Sequence, residues 1–401
     1  MAQKRNRRSG VEDRWTKANG EPSANHGKGM RWRARYVGPD GKERAKGFSR
    51  KVDAQNWLNT VTTELGTGTW ADPSKSRELF GSVAESWFAT KATRKPKTIA
   101  GYRSILDRIV LPRWEDVRLA DITYEDAQTW VSSLSEKGGG HRFSDRGLSA
   151  SRVKQSYQVL DQVLRYAIRA RRLTVNPAAD IELPGIREPE KRYLTMRQVQ
   201  ELAIASGRFR TLVFVLALCG LRFGEATALR TKHVDLDSAR IWVSASATHV
   251  AGKGIVETDT KNHEGRKVPI PAFLVELLRT ELPTEPEALV FAGREGKHLP
   301  LGEFRWAFDR AASAVGLNGF VPHELRHTCA SLAIAAGANI KVLQTLLGHK
   351  TATLTLDRYG HLYPDELGVI ADALDQAAKS AADALRTEEP YAGVQALAKT
   401  R

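Results

Sequence analysis

The spacing of the hydrophobic residues changes along this chain of 401 residues, and this succession constrains the fold more than any other feature. At residues 31–36, arginines alternate with apolar residues, which is the period of a half-buried strand. From residue 77 to 180 the apolar residues recur with the period of amphipathic helices. Short strands are expected within 241–270, and helices again within 301–385. The sequence therefore predicts a multidomain, mainly α-helical protein with small β-sheets.

Changes in composition and two linker-like stretches suggest where these domains begin and end. A stretch with Pro and Ser follows the first helix, and a charged stretch with Pro and Gly follows the helical region. The predicted segments are a basic disordered tail (1–27), a β-sheet and helix module (28–70), a helical domain (77–180), a mixed α+β domain (187–385) and a C-terminal tail (386–401).

The net charge points to a polyanionic partner. Lys and Arg number 61 against 46 Asp and Glu, which leaves +15, and the first 60 residues contribute +9 of this excess. The partner is nucleic acid or an anionic membrane surface, although the basic end also fits a solubilising tail. The longest apolar run, 212–219, is too short to cross a membrane. Two cysteines, Cys219 and Cys329, exclude a disulfide framework and a cysteine-rich zinc site, so we expect a reducing, cytoplasmic setting.

Basic residues on two of the predicted domains are candidates for DNA contact. Arg31, Arg33 and Arg35 share one face of the predicted N-terminal strand, and such a ribbon can enter a DNA groove. An edge hairpin with solvated charges explains the same pattern. The outer faces of the predicted helices carry further cations that fit phosphate contacts, among them Arg103, Lys154 and Arg165.

Five short motifs in the second half of the chain carry the groups that fit phosphate chemistry. They contain arginines, histidines, a lysine and a tyrosine in a fixed order. Their positions are Gly220-Leu221-Arg222-Phe223-Gly224-Glu225, Lys261, His323-Glu324-Leu325-Arg326-His327, Leu347-Gly348-His349 and Asp357-Arg358-Tyr359-Gly360-His361.

In this order and spacing the motifs resemble those of the tyrosine recombinases, the phage integrase family. The resemblance is strong over residues 190–365. The helical domain is similar to the family's core-binding domain, and the N-terminal module is similar to its arm-type DNA-binding domains. The resemblance implies a site-specific recombinase that cuts and rejoins duplex DNA through a 3′-phosphotyrosine, integrating or excising a phage genome or mobile element.

The arginines suit a phosphate clamp, because guanidinium groups bind phosphate oxygens in pairs and keep their charge. We expect Arg222 and Arg326 to form this clamp, with Glu225 holding Arg222. The resemblance implies that Lys261 is the general acid for the leaving 5′ oxygen, and we expect it in the turn of a hairpin. Lys253 and Lys267 are local competitors for this role.

The remaining motif residues are assigned to the nucleophile and its surroundings. Tyr359 is the expected nucleophile, because its spacing from the Leu-Gly-His motif distinguishes it from Tyr363. A phenol has a pKa of about 10 and needs nearby cations to stabilise the phenolate. We expect His349 to donate a hydrogen bond to the phosphate and His323 to help deprotonate Tyr359.

Three other functions compete with a recombinase. A type IB topoisomerase shares the chemistry, and a non-catalytic DNA-binding relative shares the fold. His323-Glu324-Leu325-Arg326-His327 also matches the zinc protease motif, in which His323 and His327 bind the metal and Glu324 is the base. That alternative leaves the other motifs unexplained, and we expect no metal or cofactor.

The resemblance also implies partners. These are core-type and arm-type DNA sites, a homotetramer in the synaptic complex, a host DNA-bending factor and an excisionase, with no membrane partner. The expected location is the cytoplasm of a bacterial host cell. An apolar stripe after Tyr359 fits packing either on a neighbouring subunit or on its own domain, and it comprises Leu367, Ile370, Ala371 and Leu374.

Overall fold

The computed structural model describes residues 9–136, 147–186, 191–259, 265–363 and 367–387. The chain divides into two compact units, Met1–Glu188 and Pro189–Arg401. Both are largely helical, and the described strands form three small antiparallel sheets. The predicted fold class is thereby confirmed.

The first unit begins with a three-stranded sheet packed on one helix. The strands are β1 (Gly10–Asp13), β2 (Trp32–Val37) and β3 (Glu43–Phe48), in the order β1-β2-β3, followed by α1 (Lys51–Thr67). Ala34 and Tyr36 of β2 are buried in a cluster with residues of α1 and Trp70, whose Nε1 donates to Tyr36 Oη at 3.1 Å. The alternation in the sequence therefore marks a half-buried strand, as predicted.

The prediction that residues 1–27 are disordered is wrong for β1. This strand pairs antiparallel with β2, with Glu12 opposite Arg33. The segment has no apolar alternation of its own, and it is held by the backbone ladder and by acidic side chains beside the arginines. Arg31 Nη2 lies 2.9 Å from an Asp13 oxygen, and Glu12 oxygens lie 3.5 and 3.9 Å from Arg33 and Arg35. The predicted cationic face is thus partly neutralised within the protein.

The rest of the first unit is helical. Its core contains the buried indoles of Trp87 and Trp114. Thr123 caps the start of one helix, since its Oγ1 accepts a hydrogen bond from the backbone of Asp126 at 3.1 Å. The helices are α2 (Phe80–Ala89), α3 (Pro96–Ile105), α4 (Leu111–Trp114), α5 (Tyr124–Ser133) and α6 (Ala150–Arg169), with a π-helical turn at Leu106–Val110 joining α3 to α4.

The second unit combines helices with two small sheets. Its first helices are α7 (Met196–Ala205), which begins at a capping box of Thr195 and Gln198, α8 (Arg210–Leu218) and α9 (Phe223–Thr227). The strands are β4 (Val234–Asp235), β5 (Arg240–Val243), β6 (Ala245–Val250), β7 (Gly254–Asp259) and β8 (Arg266–Pro269). The later helices are α10 (Ala272–Glu281), α11 (Leu301–Ala314), α12 (Pro322–Ala335), α13 (Ile340–Leu347), α14 (Ala352–Tyr359) and α15 (Leu367–Thr387).

The apolar run 212–219 forms the centre of this unit, as its composition predicts. Nearly all of α8 is buried, and α12 packs directly against it. This packing brings the turn after α8, with Arg222, close to Arg326 on α12. Within the described part of the chain, no helix is long and apolar enough to cross a membrane.

The sheet topology corrects one expectation. The strands expected within 241–270 exist, but β7 and β8, which precede and follow Lys261 in the sequence, do not pair with each other as a hairpin. Strand β7 pairs with β6, and β8 pairs with β5. The tight turn lies instead at Val250–Gly254, where Gly252 and Gly254 adopt the positive φ angles that such a turn requires.

Candidate active site

Arg222 is held at a sharp turn between α8 and α9. Gly220, two residues earlier, has φ +63°, and a Cβ there would lie 3.0 Å from both Cys329 Sγ and a Leu347 methyl carbon, so a larger residue would be both strained and crowded. The Arg222 side chain is 37% exposed, and its Nη1 lies 2.6 Å from Glu225 Oε1. The backbone N–H of Arg222 donates to Glu225 Oε2 at 2.9 Å. Glu225 therefore holds Arg222 as predicted and also fixes the turn that carries it.

A close approach also explains the glycine at position 224, within the Gly220–Glu225 motif. A Cβ on Gly224 would lie 2.5 Å from the carbonyl oxygen of Ala247 on β6. Any larger residue would push α9 away from that strand. The close packing of α9 on β6 therefore requires glycine at position 224. This position supplies none of the proposed reacting groups.

Arg326 lies on α12 and is 3% exposed. Its two terminal nitrogens donate to the carbonyl oxygens of Gly220 and Leu347, which belong to two other motifs. Burial, followed by repulsion from Arg222, lowers the pKa of Arg326 to about 9, so the side chain stays protonated at neutral pH. Arg326 therefore joins three motif segments and carries a desolvated positive charge.

Tyr359 ends α14 and is fully buried. Its ring lies parallel to that of His349, with 6.2 Å between the centroids. His349 in turn has its Nδ1 2.9 Å from Thr355 Oγ1. Burial raises the pKa of Tyr359 to about 12, although the charges of Arg326 and Arg358 oppose this rise. The phenol is therefore protonated at neutral pH in the protein alone.

The histidine beside the phenol differs from the expected one. His327 Nδ1 lies 2.9 Å from Tyr359 Oη. His323 is exposed on the same helix, and its ring centroid lies 5.1 Å from that of His327. From its motif, His327 is expected only as a zinc ligand of the protease alternative. The sequence feature that could have pointed to His327 is its position directly after the expected clamp residue Arg326.

Arg266 is a second residue that the sequence analysis missed. It begins β8 and its side chain is 11% exposed. Its Nη2 and Nη1 lie 2.7 and 3.1 Å from the two Glu225 oxygens, and its Nε donates to the Leu346 carbonyl at 3.1 Å. Burial alone would raise the pKa of Glu225, but Arg266 and then Arg222 lower it to about 2. One carboxylate therefore links both arginines.

The expected general acid lies outside the described residues, which end at Asp259 and resume at Gly265 around Lys261. The two lysines that compete with it for this role lie within the described residues. Lys253 lies in the β6–β7 turn and Lys267 lies on β8, and both are exposed.

The zinc-site alternative gains no support from the geometry. Glu324 accepts hydrogen bonds from Arg192 at 3.0 and 3.2 Å and from the backbone of Val321 at 2.7 Å. His327 contacts Tyr359. Within the described ranges, no group of three or more His, Cys, Asp or Glu side chains is arranged to hold a metal ion.

The proposed DNA contacts of the helical domain lie on its surface and are partly paired. Arg103 contacts Asp107 and Glu85, and Arg165 contacts Asp161 at 2.8 Å. Lys154 is exposed on α6.

Three family models match this chain. The phage integrase family matches residues 192–366, which contain every motif residue described above. The N-terminal domain of phage integrases matches 28–67, and their N-terminal SAM-like domain matches 79–135. The chain belongs to the phage integrase family. The first match covers the second unit as far as residue 366, and the other two cover β2, β3 and α1 and then α2 to α5.

Relatives and solved structures agree with this assignment. The prophage phiRv2 integrase of Mycobacterium tuberculosis is 29% identical over 365 residues, which cover 87% of this chain and 94% of the relative. The fold is similar to that of the Tn1549 transposon integrase in complex with a circular intermediate DNA, with a TM-score of 0.62 and 20% identity over 75% of this chain and 99% of that one. It is also similar to that of the lambda integrase tetramer bound to a Holliday junction, with a TM-score of 0.52 and 21% identity over 83% and 93%.

Proposed function

We propose that this phage integrase family member is a site-specific DNA recombinase that cuts and rejoins duplex DNA through a 3′-phosphotyrosine. The observation that supports this most is the arrangement around Tyr359. The phenol lies between the parallel ring of His349 and the imidazole of His327, and the charge of Arg326 acts on it. These residues come from three separate motifs within residues 323–361.

The arginines supply most of the proposed electrostatic stabilisation. Arg326 is desolvated and fixed on two carbonyls, so it needs no reorganisation when a phosphate arrives. Arg222 is 37% exposed and can reach a ligand while Glu225 holds it. His349 contributes a further hydrogen bond from Nε2, since its Nδ1 is engaged by Thr355.

In the cleavage step, Tyr359 Oη forms a bond to phosphorus while the bond from phosphorus to the 5′ oxygen breaks. The phenol loses its proton, for which His323 is the proposed acceptor, and Lys261 gives a proton to the 5′ oxygen. The number of phosphodiester-type bonds is conserved, so the reverse reaction rejoins strands without an external energy source. The cations around the site must offset both the burial that raises the pKa of Tyr359 and the negative charge of the bound phosphate.

The proposed partners are core-type and arm-type duplex DNA sites, with the protein assembling as a tetramer on two paired sites. We also propose a host DNA-bending factor, an excisionase and a cytoplasmic location. Ala371 and Leu374 are exposed on α15, and Leu374 is 66% exposed. We propose that this helix packs on a neighbouring subunit.

Trapping the covalent intermediate tests the proposed function. A DNA duplex nicked just beyond the scissile phosphate loses the short leaving strand after cleavage, so the adduct accumulates. We expect an adduct at a 3′ phosphate, with the modified residue mapped by mass spectrometry to Tyr359. It should form equally in excess EDTA, because the proposed chemistry uses no metal ion. An adduct at another residue, or one that EDTA abolishes, would contradict the proposal.

The N-terminal module is expected to bind arm-type sites independently of cleavage. Deleting residues 1–70 removes β1 to β3, α1 and Trp70, which together form one buried cluster. The truncated protein should lose binding to arm sites in a gel-shift assay and should still cleave core sites. In the full-length chain, the double substitution Arg33→Gln and Arg35→Gln should weaken arm binding and reduce its salt dependence. Unchanged arm binding by the deletion would show that the module has another role.

A further inference from the structure

The hydrogen bond between His327 and Tyr359 connects the phosphate clamp to the nucleophile. His327 lies on α12 directly after Arg326, and Tyr359 lies at the end of α14. The distance from His327 Nδ1 to Tyr359 Oη is 2.9 Å, and the two ring planes are inclined by 57°. The contact is therefore made through the hydroxyl group and does not arise from ring stacking.

The helix that carries His327 is itself fixed at the site. Arg326 donates to the carbonyls of Gly220 and Leu347, so this part of α12 cannot shift without breaking two buried hydrogen bonds. His349 lies parallel to the phenol and restricts its tilt. A hydrogen bond from the rigid α12 then restricts where the phenol oxygen lies relative to the clamp.

The surroundings favour a neutral His327. Burial, followed by the charges of His323, Arg358, Lys191 and Arg326, lowers the pKa of His327 to about 4. A neutral imidazole has one donor and one acceptor nitrogen, so it can bond the phenol oxygen in either tautomer. It holds an extra proton poorly at neutral pH, which separates its role from that of a proton acceptor.

We propose that His327 is a positioning residue that holds the Tyr359 hydroxyl in line with the clamped phosphate. This inference rests on the proposed function and assigns a role to a residue outside the expected catalytic set. In-line attack requires the reacting atoms to lie about 3–3.5 Å apart and aligned, and a misplacement of about 1 Å costs on the order of 10²-fold in rate.

Two amide substitutions at His327 test this role, because they place the same functional group at two different distances from the main chain. In His327→Asn the amide lies close to the position of Nδ1, whereas in His327→Gln it lies one carbon further out. We expect the asparagine variant to form the adduct within about 10-fold of the wild-type rate. The glutamine variant and His327→Leu should be slower by on the order of 10²-fold at saturating DNA, with unchanged DNA affinity. If His327→Leu does not fold, the comparison of His327→Asn with His327→Gln alone tests the positioning role.

A modified substrate distinguishes a defect in protonating the leaving 5′ oxygen from a defect in positioning the Tyr359 nucleophile. When sulfur replaces the bridging 5′ oxygen, the leaving group is a thiolate, which needs no general acid because thiols have a pKa near 8.5. This substrate should restore cleavage by Lys261→Ala but not by His327→Gln. Restoration of His327→Gln, or equal rates for the Asn and Gln variants, would overturn the positioning role. If the wild-type protein forms no adduct on either substrate, the proposed function fails instead.

Discussion

Replacing Tyr359 by phenylalanine is expected to abolish the covalent protein–DNA adduct and to leave DNA binding unchanged. The substitution removes only the hydroxyl, so the ring keeps its buried position beside His349. Removing a nucleophile that acts with its partners as a unit costs on the order of 10⁶-fold in rate. Denaturing gel electrophoresis of the nicked-substrate reaction should show no adduct, and a gel-shift titration should give the wild-type affinity.

The matched control is Tyr363→Phe. Tyr363 lies four residues further on, and its hydroxyl donates to the Ala338 carbonyl at 3.0 Å, away from His327. Its removal costs one hydrogen bond, about 1 kcal/mol of folding stability, and should leave adduct formation intact. An adduct that persists in Tyr359→Phe and disappears in Tyr363→Phe would transfer the nucleophile role to Tyr363.

The order of the motifs predicts much of the site because the segments with Arg222, His349 and Tyr359 each lie at the C-terminal end of a helix or just beyond it. The run 212–219 is apolar and is buried almost entirely within α8. The segment that follows it, with Arg222, therefore begins next to the hydrophobic core. His349 follows the C-terminal end of α13, and Tyr359 is the last residue of α14. The helix starts at Thr123 and Thr195 likewise follow from the local sequence, because capping depends only on neighbouring residues.

The parts that the sequence did not reveal depend on distant contacts. Strand β1 is held by pairing with β2, 19 to 25 residues further along the chain, and has no hydrophobic pattern to mark it. Arg266 meets Glu225 across 41 residues, and His327 meets Tyr359 across 32. Local spacing cannot show which of several cations or histidines reaches a buried partner. The same limit explains the wrong hairpin pairing of β7 and β8.

Glu225→Gln is the substitution expected to cost most in stability. The Glu225 side chain is 3% exposed, and its oxygens contact both Arg222 and the nearly buried Arg266. Glutamine keeps the volume but leaves the Arg266 charge buried without a counter-ion. Removing one partner of a buried ion pair costs about 3–5 kcal/mol. Urea unfolding at neutral pH should show a loss of this size, and adduct formation should slow because Arg222 loses its support.

A surface pair provides the control for this loss. Glu201 contacts Arg197 on α7, where the two side chains are 43% and 87% exposed, so Glu201→Gln should change stability by less than about 1 kcal/mol. Adding Arg266→Met to Glu225→Gln should recover part of the lost stability, because no unpaired charge then stays buried. If the double variant recovers no stability, Glu225 stabilises the protein mainly through Arg222 and the turn before α9.

The pH dependence identifies the carboxylate as the source of the effect. The pKa of Glu225 is lowered from 4.5 to about 2 in the folded protein, so the unfolded chain binds the proton more tightly. Its contribution to stability is therefore complete above pH 4.5 and is lost as the pH falls towards 2. The difference in unfolding free energy between wild type and Glu225→Gln should be constant above pH 4.5 and should shrink as the pH falls from 4.5 towards 2. A difference that stays constant as the pH falls through this range would mean that glutamine disturbs packing rather than charge.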